Sequence, residues 1–328
     1  PLLVDGQEVA ISPSIGIAYY PDQGRTLDEL LRNADAAMYE AKARGRNTYR
    51  VYSARLAEDA SDRTRMETAL RKSLDRDELR LVYQPKLSLR SGRITGAEAL
   101  LRWRSAELGH VPPSKFIPMA EETGLILPLG EWALRQALSQ ARAWKDAGMP
   151  EIRIAVNVSS VQLTRGGYAE LVKNVLENMG LSPGWLEIEL TESALMADPK
   201  RASATIADLR ALGVKVAIDD FGTGYSSLSY LRGLAIDTVK IDKSFVDGIE
   251  HNVDDEVLTS TIVLMAHSLG LSVVAEGVET EQQLTFLRGE NCDEVQGYWL
   301  ARPLEAEVCR TFVFDYRMPK GLVLAGAR

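Results

Sequence analysis

Residues 214–228 read Val-Lys-Val-Ala-Ile-Asp-Asp-Phe-Gly-Thr-Gly-Tyr-Ser-Ser-Leu, an apolar run that ends in two adjacent carboxylates and a glycine-rich segment. Successive side chains of a regular strand point to opposite faces, so we expect the strand to end or twist at Asp219 and Asp220. Two neighbouring carboxylates repel each other and tolerate burial only beside a cation or a shared proton. Taken alone, the pair is more typical of a solvated turn, but the pattern recurs along the chain.

Short β-rich runs alternate with amphipathic helical patterns after Leu79. The runs cover residues 79–89, 93–103, 152–159, 185–191, 214–219, 236–242, 271–276 and 293–300. Eight strands alternating with helices over roughly 230 residues predict an α/β fold, a closed (β/α)8 TIM-like barrel. Only a short turn at Ser91-Gly92 separates the first two runs, so the first strand should be antiparallel. An open doubly wound sheet is the alternative, but no Gly-x-Gly-x-x-Gly follows the early strands.

The first 78 residues follow a different pattern. Residues 8–20 alternate like a strand. A capping box at Thr26 and Glu29 then begins a helix, and Gly45 ends it. One strand and one helix cannot close a core, and the chain opens in the middle of a pattern, so we expect a piece of a longer protein. We divide the sequence into an α+β fragment, a linker helix, the barrel and a tail, at residues 1–52, 53–78, 79–316 and 317–328.

The composition is typical of a soluble globular protein, since 45% of the 328 residues are hydrophobic and 26% are charged. No stretch approaches the ~20 apolar residues of a transmembrane helix, so we expect a cytoplasmic location, with any inner-membrane anchor lying upstream. The net charge of −8 argues against binding to a nucleic-acid polymer. Cys292 and Cys309 are expected to be buried thiols.

Residues that bind cations or transfer protons stand where the apolar runs meet the loops. They are Glu98, Asn157, Glu189, Asp219, Asp220, Lys240, Asp242, Glu276 and Gln296. The carboxyl ends of barrel strands form the active sites of such folds, so these side chains should converge there. Each has an ordinary structural reading as a turn, a strand-face charge or a snorkelling lysine. Burying them together without a metal or ligand would cost several kcal/mol.

The chemistry of this set points to metal-assisted hydrolysis of a phosphate ester. The three histidines, His110, His251 and His267, have no metal-ligand spacing, so carboxylates and a lysine must carry the acid–base chemistry. Oxygen-only ligands favour Mg²⁺ or Mn²⁺ over zinc, and such sites often hold two ions ~4 Å apart. Arg102 and Lys240 would supply positive charge to phosphate oxygens.

Several of these motifs together resemble the EAL-domain phosphodiesterases over residues 79–304. The matching segments are Glu98-Ala-Leu with Arg102-Trp103, Asn157, Glu189-Leu-Thr-Glu192, Asp219-Asp220-Phe-Gly-Thr-Gly-Tyr-Ser-Ser-Leu, Lys240-Ile-Asp242, Glu276-Gly-Val-Glu279 and Gln296-Gly-Tyr. The resemblance implies a bacterial second-messenger enzyme that hydrolyses cyclic di-GMP to linear pGpG, with two Mg²⁺ or Mn²⁺ ions per active site. It also implies a homodimer through the barrel domain and upstream sensor domains in the full-length protein.

The resemblance further implies roles for individual residues. The metal ligands would be Glu98, Asn157, Glu189, Asp219, Asp220 and Glu276. Glu276 would serve as a ligand or as the general base, and Lys240 would orient the attacking water or neutralise the phosphate. Catalysis would therefore depend on Glu276, Lys240, Asp220 and Glu98. The substrate would be held by Gln84, Arg102, Asp242, Gln296 and Glu279, and Glu192 would anchor the mobile loop at residues 221–228.

The segments Ser14-Ile-Gly-Ile and 34–47 resemble the C-terminal part of a diguanylate cyclase (GGDEF) domain. The catalytic loop of that family is absent from the sequence, so no cyclase activity is expected. Lys42 and Arg46 match phosphate-contacting residues of the family, but here they are more simply cations at the end of a helix.

Two other functions remain open at this stage. The chain could bind cyclic di-GMP as a receptor and regulatory module with little or no hydrolysis, although no metal-binding position departs from the family pattern. Alternatively, Lys240 could form a Schiff base in an aldolase-like barrel.

Overall fold

The computed structural model describes residues 2–4, 7–9, 12–43, 47–223 and 233–317. The chain divides into two compact units, residues 1–72 and 73–328. In the described part of the chain, no helix has both the length and the apolar character needed to cross a bilayer.

The first unit is small and contains both strands and helices. Its elements are β1 (Leu2–Val4), β2 (Gln7–Val9), β3 (Ile15–Ile17), α1 (Leu27–Ala43), β4 (Tyr49–Val51) and α2 (Ala54–Arg71). β1 pairs antiparallel with β2, and β3 pairs parallel with β4. Thr26 and Glu29 form the expected capping box, because the backbone N–H of each donates to the side chain of the other at 3.1 and 3.2 Å. Gly45 and Arg46 lie outside the described residues.

The linker helix, expected over residues 53–78, is α2 and ends at Arg71. Residues 72–78 instead form a turn that leads into the barrel, where the backbone N–H of Glu78 donates to the carbonyl of Ser73 at 3.1 Å. The charged sequence Arg71-Lys-Ser-Leu-Asp-Arg-Asp77 carries helix-forming residues, but Asp77 adopts a positive φ of 53°, a conformation that a helix cannot include.

Eight strands of the second unit close into a barrel. They are β5 (Leu79–Ser88), β6 (Ile94–Ser105), β8 (Arg153–Val158), β9 (Leu186–Thr191), β10 (Lys215–Phe221), β11 (Thr238–Ile241), β12 (Ser272–Ala275) and β13 (Glu294–Val295), with β7 (Gly109–Val111) added at the edge of β6. β5 pairs antiparallel with both β6 and β13, which confirms the reversed first strand. The pairing of β13 with β5 closes the sheet and excludes the open doubly wound alternative.

The helices of this unit surround the barrel. They are α3 (Pro113–Thr123), α4 (Ile126–Asp146), α5 (Ser160–Arg165), α6 (Tyr168–Met179), α7 (Glu192–Ala197), α8 (Pro199–Ala211), α9 (Lys243–Asp247), α10 (Val253–Ser268), α11 (Glu281–Gly289) and α12 (Ala306–Asp315), with a 3₁₀ turn at Pro183–Trp185. The core lies between the strands and the helices. In one of its contacts, Trp144 of α4 packs edge-on against Tyr83 of β5, with the ring centroids 4.9 Å apart. Cys292 and Cys309 are buried free thiols, as expected.

The eighth strand is shorter than the run 293–300 from which it was predicted. After Val295 the chain turns and forms a hydrogen bond to the end of β12, where the Gln296 N–H donates to the Ala275 carbonyl at 2.9 Å. The turn brings Gly297 against the backbone of Val278, and a Cβ at Gly297 would lie 2.1 Å from the Val278 carbonyl oxygen. Gln296 is thereby directed into the barrel mouth.

Replacing Gly297 with alanine should destabilise the protein by about 1–3 kcal/mol, because the methyl group meets backbone atoms that cannot rotate away. Urea unfolding followed by circular dichroism measures the change. Gly289→Ala is the matched control, since a Cβ there meets no atom within 4 Å and alanine favours the end of α11. Equal stability of the two variants would contradict the close approach at Gly297.

Candidate active site

The adjacent carboxylates of Asp219 and Asp220 lie where β10 loses its regular pairing. The register between β10 and β11 shifts between Ile218 and Phe221, and Asp220 has a positive φ of 53°. This twist confirms the expected irregularity of the strand at the pair. It allows both carboxylates to face the same side, although they are adjacent in sequence.

Carboxylates from four barrel elements meet at this point. Oxygens of Glu98 on β6, Glu189 on β9 and Asp219 on β10 lie within 4.8 Å of one another. A second group of the same size joins Asp219 with Asp220 and with Glu276, which follows β12. The two groups share Asp219, and Glu98, Glu189 and Asp219 are all less than a tenth exposed.

The ammonium group of Lys240, on β11, lies at the centre of these carboxylates. Its Nζ is 2.6 Å from Glu276 Oε1, 2.8 Å from Glu189 Oε2 and 3.0 Å from Asp219 Oδ1. Glu98 Oε2 lies farther away, at 3.8 Å. Lys240 is completely buried, so these contacts replace its hydration.

The pKa values of the carboxyl groups show that the surrounding side chains provide too little positive charge. Burial, with a further contribution from the carboxylates of Asp219 and Glu98, raises the pKa of Glu276 to about 8 despite Lys240. Burial also raises the pKa of Glu98. Glu189 differs, because two lysines overcome its burial and hold its pKa at about 2. A site with this excess of oxygen donors and negative charge fits a divalent cation.

Side-chain amides frame Glu98 and fix its orientation. Glu98 Oε1 accepts from Asn157 Nδ2 and Glu98 Oε2 accepts from Gln296 Nε2, both at 2.6 Å. Gln296 Nε2 also donates to Gln84 Oε1 at 3.2 Å, and Gln84 Nε2 donates to the Ala301 carbonyl at 3.2 Å. Gln296 Oε1 is buried without a hydrogen-bond partner among the described residues, so it remains available to a ligand.

The carboxylate cluster opens into a cavity of about 290 Å³. Its lining includes Gln84, Glu98, Asp219, Lys243, Glu276, Glu279, Gln296 and Tyr298. A second, more apolar cavity of about 420 Å³ is lined on its polar side by Arg102 and Asn157. Leu100 lines both cavities, so the two spaces adjoin and together suit a ligand that carries polar groups and flat rings.

The remaining predicted site residues lie around the cluster. Asp242 caps α9, accepting from the Ser244 N–H at 3.0 Å, and its hydrogen bond to Asp220 adds to the effects of burial and Asp219 in raising the pKa of Asp220. Arg102 donates to the Leu101 carbonyl at 2.9 Å, and within the described residues no ion pair joins it to the cluster.

Glu279 and Glu192 have contrasting surroundings. Glu279 is exposed and pairs with Lys243. Glu192 is buried at the start of α7, and neither of its carboxylate oxygens has a hydrogen-bond partner in the described part of the chain. Residues 224–228 of the loop that it was expected to anchor lie outside the described residues.

Two buried charged residues of the site were missed by the sequence analysis. Lys86 on β5 donates to Glu187 Oε1 at 2.7 Å and to Glu189 Oε1 at 2.6 Å. The spacing of Glu187 and Glu189, two residues apart on one strand, was the signal that could have revealed them, because it places both side chains on the same face.

Sequence comparisons place this arrangement among known proteins. The family description "EAL domain" matches residues 67–303, and "Diguanylate cyclase, GGDEF domain" matches residues 1–48. The chain is 44% identical to the Pseudomonas aeruginosa protein named "Bifunctional diguanylate cyclase/cyclic di-GMP phosphodiesterase MucR" over 307 residues, which cover 94% of this chain and 45% of that protein. It is 42% identical to "Cyclic di-GMP phosphodiesterase NbdA" of the same organism over 317 residues, covering 97% and 40%.

A comparison of solved structures also finds a MucR phosphodiesterase. The solved structure described as "PaMucR Phosphodiesterase, c-di-GMP complex" aligns with a TM-score of 0.72 and 43% identity, covering 75% of this chain and 99% of that one. The chain spans less than half the length of the two curated relatives, at 45% and 40%.

Lys240→Met should destabilise the protein by about 3–5 kcal/mol in the presence of chelator, because it leaves buried carboxylates without their cation. Lys243→Met is the control, since its side chain is 47% exposed and its loss should change the free energy of unfolding by less than about 1 kcal/mol. Urea denaturation measures both. A Lys240→Met variant as stable as the wild type would show that Lys240 does not hold the cluster together.

Proposed function

This chain belongs to the EAL domain family, and we propose that it is a metal-dependent phosphodiesterase that hydrolyses cyclic di-GMP to linear pGpG. The observation that carries the proposal is that two sets of three carboxylates meet at the barrel mouth and have Asp219 in common. The name of NbdA and the cyclic di-GMP complex of the PaMucR phosphodiesterase support the same substrate.

We propose that the site holds two Mg²⁺ or Mn²⁺ ions. The ligands would be Glu98, Asn157, Glu189, Asp219, Asp220 and Glu276. When bound, the ions would supply Lewis-acid polarisation of the phosphoryl group and lower the pKa of water at the site. The donors fit this role, since hard divalent cations prefer carboxylate and amide oxygens and the cluster carries more negative than positive charge.

The catalytic residues would act from the centre of the cluster. Lys240 is charged, because the carboxylates around it raise its pKa although burial alone would lower it. It therefore acts as a fixed positive charge that orients the water or neutralises the phosphate, and a charged amine is unsuited to the Schiff-base alternative. Glu276 faces the cavity as a ligand or as the general base, with Asp220 and Glu98 beside it.

The substrate would lie across the mouth. Gln296 and Gln84 present amides to the cavity, and the Gln296 Oε1 atom is free to accept a hydrogen bond within the described part of the site. Arg102 lines the neighbouring cavity and would meet a phosphate or a base. Asp242 and Glu279 would complete the contacts to the dinucleotide.

The purified chain should convert cyclic di-GMP to pGpG with Mg²⁺ or Mn²⁺, and a chelator should abolish the reaction. Glu98→Gln should lower turnover by more than roughly 100-fold, because loss of a direct ligand exceeds the loss of an outer partner. Glu131→Gln is the matched control, with a side chain that is 46% exposed on α4. Liquid chromatography identifies the product, and cyclic GMP tests specificity.

The same experiment decides between an enzyme and a receptor. If the wild type binds cyclic di-GMP but leaves it intact with both metals, the chain is a binding module and the phosphodiesterase proposal fails. Full hydrolysis of cyclic di-GMP in the presence of chelator would instead contradict the metal requirement.

For the protein beyond its active site, we keep the sequence-based assignments as proposals. These are the division at residues 1–52, 53–78, 79–316 and 317–328, a cytoplasmic location with any inner-membrane anchor upstream, and upstream sensor domains. We also propose that Glu192 anchors the loop after Phe221 and that the barrel domain forms a homodimer.

The homodimer proposal is supported by α10. Val253, Val257 and Leu264 lie on one side of this helix and are 72%, 59% and 70% exposed. An apolar stripe of this kind on a charged protein marks a surface for association.

Val257→Glu should convert the dimer to a monomer, since it places a charge in the stripe. Light scattering after size-exclusion chromatography measures the mass. Val308→Glu is the control, because Val308 is 54% exposed on α12, away from the stripe in sequence. A monomeric wild type, or a dimeric Val257→Glu variant, would contradict an interface at α10.

A further inference from the structure

Two buried carboxylates of β9 share one buried ammonium group from β5. Glu187 and Glu189 are separated by one residue, so both side chains project into the barrel interior. Glu187 is 2% exposed and Glu189 is fully buried. The Lys86 Nζ atom lies 2.7 Å from Glu187 Oε1 and 2.6 Å from Glu189 Oε1, and the Lys86 side chain is itself only 2% exposed.

The two oxygens of Glu189 are divided between two lysines. Oε1 accepts a hydrogen bond from Lys86 in the barrel interior. Oε2 accepts one from Lys240, at 2.8 Å, on the side of the carboxylate cluster. A carboxylate held at both oxygens cannot rotate about its terminal bond without losing a charged hydrogen bond. Glu189 therefore presents one defined oxygen to the cluster.

The contacts continue to the amino-terminal end of the parallel strands. Glu187 Oε2 lies 3.7 Å from Arg153 Nε, and Arg153 donates to Glu294 Oε1 at 2.7 Å. Arg153 is 33% exposed, so it contacts solvent. Positively and negatively charged side chains thus alternate from the carboxylate cluster down through the barrel. Lys86 connects the cluster to the charged residues below it.

We propose that Lys86 is a positioning residue of the metal centre, holding Glu189 so that its outer oxygen faces the cations. This inference rests on the proposed function, because it concerns a ligand of the proposed metal site. Without Lys86, Glu189 would face the carboxylate of Glu187 at close range with no charge between them. Loss of the donor to Oε1 would then let Glu189 rotate away, and this rotation removes a metal-binding oxygen from the cluster.

A purely structural role for Lys86 makes a different prediction, and three variants separate the two. Lys86→Met removes the donor and leaves Glu187 charged. The double variant Lys86→Met/Glu187→Met replaces the buried ion pair with apolar side chains of similar volume, an exchange that proteins often tolerate without loss of stability. Glu187→Gln keeps Lys86 on Glu189 and removes only the charge that faces away from the cluster.

The readouts are Mn²⁺ affinity by isothermal titration calorimetry without substrate, unfolding in urea, and turnover of cyclic di-GMP as a function of Mn²⁺. Lys86→Met and the double variant should both bind Mn²⁺ 10–100-fold more weakly, about the effect of losing a group that orients a metal ligand. Glu187→Gln should stay within about threefold of the wild type. Excess Mn²⁺ should restore turnover of the double variant, which a general loss of structure would not allow.

A folded double variant with wild-type Mn²⁺ affinity would overturn the inference, because Lys86 would then only balance charge. A Glu187→Gln variant that loses as much affinity as Lys86→Met would overturn it too, since the effect would belong to the whole ionic layer. A wild type that hydrolyses cyclic di-GMP while Lys86→Met keeps its affinity refutes this inference alone. A wild type that neither binds Mn²⁺ nor hydrolyses cyclic di-GMP refutes the proposed function with it.

Discussion

The buried ammonium of Lys240 constrains the whole barrel mouth. It lies within 3.0 Å of carboxylates from three different elements, those of Glu189, Asp219 and Glu276. In a low-dielectric interior one positive charge cannot neutralise three or four negative ones, and burial together with the neighbouring carboxylates raises the pKa values of Glu276 and Glu98. A site built this way would be stabilised by further cations. The geometry that makes the cluster unfavourable by itself is the geometry that would bind metal.

The reversed first strand determines which groups reach this cluster from below. In a barrel of parallel strands, the active site is built from residues at the carboxyl ends. β5 runs the other way and lies opposite Glu98 at Gln84. Continuing along the strand therefore leads deeper into the barrel, and two residues later Lys86 emerges beneath Glu189. The reversal thus supplies an amide to the mouth and an ammonium group to the interior from the same strand.

Local sequence patterns predicted the parts of the structure that depend on local properties. Apolar runs that end in polar residues located the barrel strands, and the short turn at Ser91-Gly92 predicted the reversal of β5. The eighth strand was overestimated, because the close approach of Gly297 to Val278 is a contact between segments distant in sequence. Lys86 and Glu187 were missed for the same reason. A strand that reads Leu-Glu-Ile-Glu-Leu is typical of a half-exposed strand, and only closure of the barrel buries both glutamates.

The ionic layer below the cluster, formed by Lys86, Glu187 and Arg153, relates the stability of this barrel to its chemistry. Barrel interiors are usually filled by branched apolar side chains, and replacing a buried ion pair with such residues is often neutral or stabilising. The pair of Lys86 with Glu187 is therefore difficult to explain by stability alone. Its effect on Glu189 is specific, because the two lysines keep the pKa of that carboxyl group at about 2 while burial raises the pKa of Glu98 and Glu276. Lys86 and Lys240 thus favour the ionised form of Glu189. A divalent cation bound here would find the Glu189 carboxylate already charged and held in place by Lys86 and Lys240.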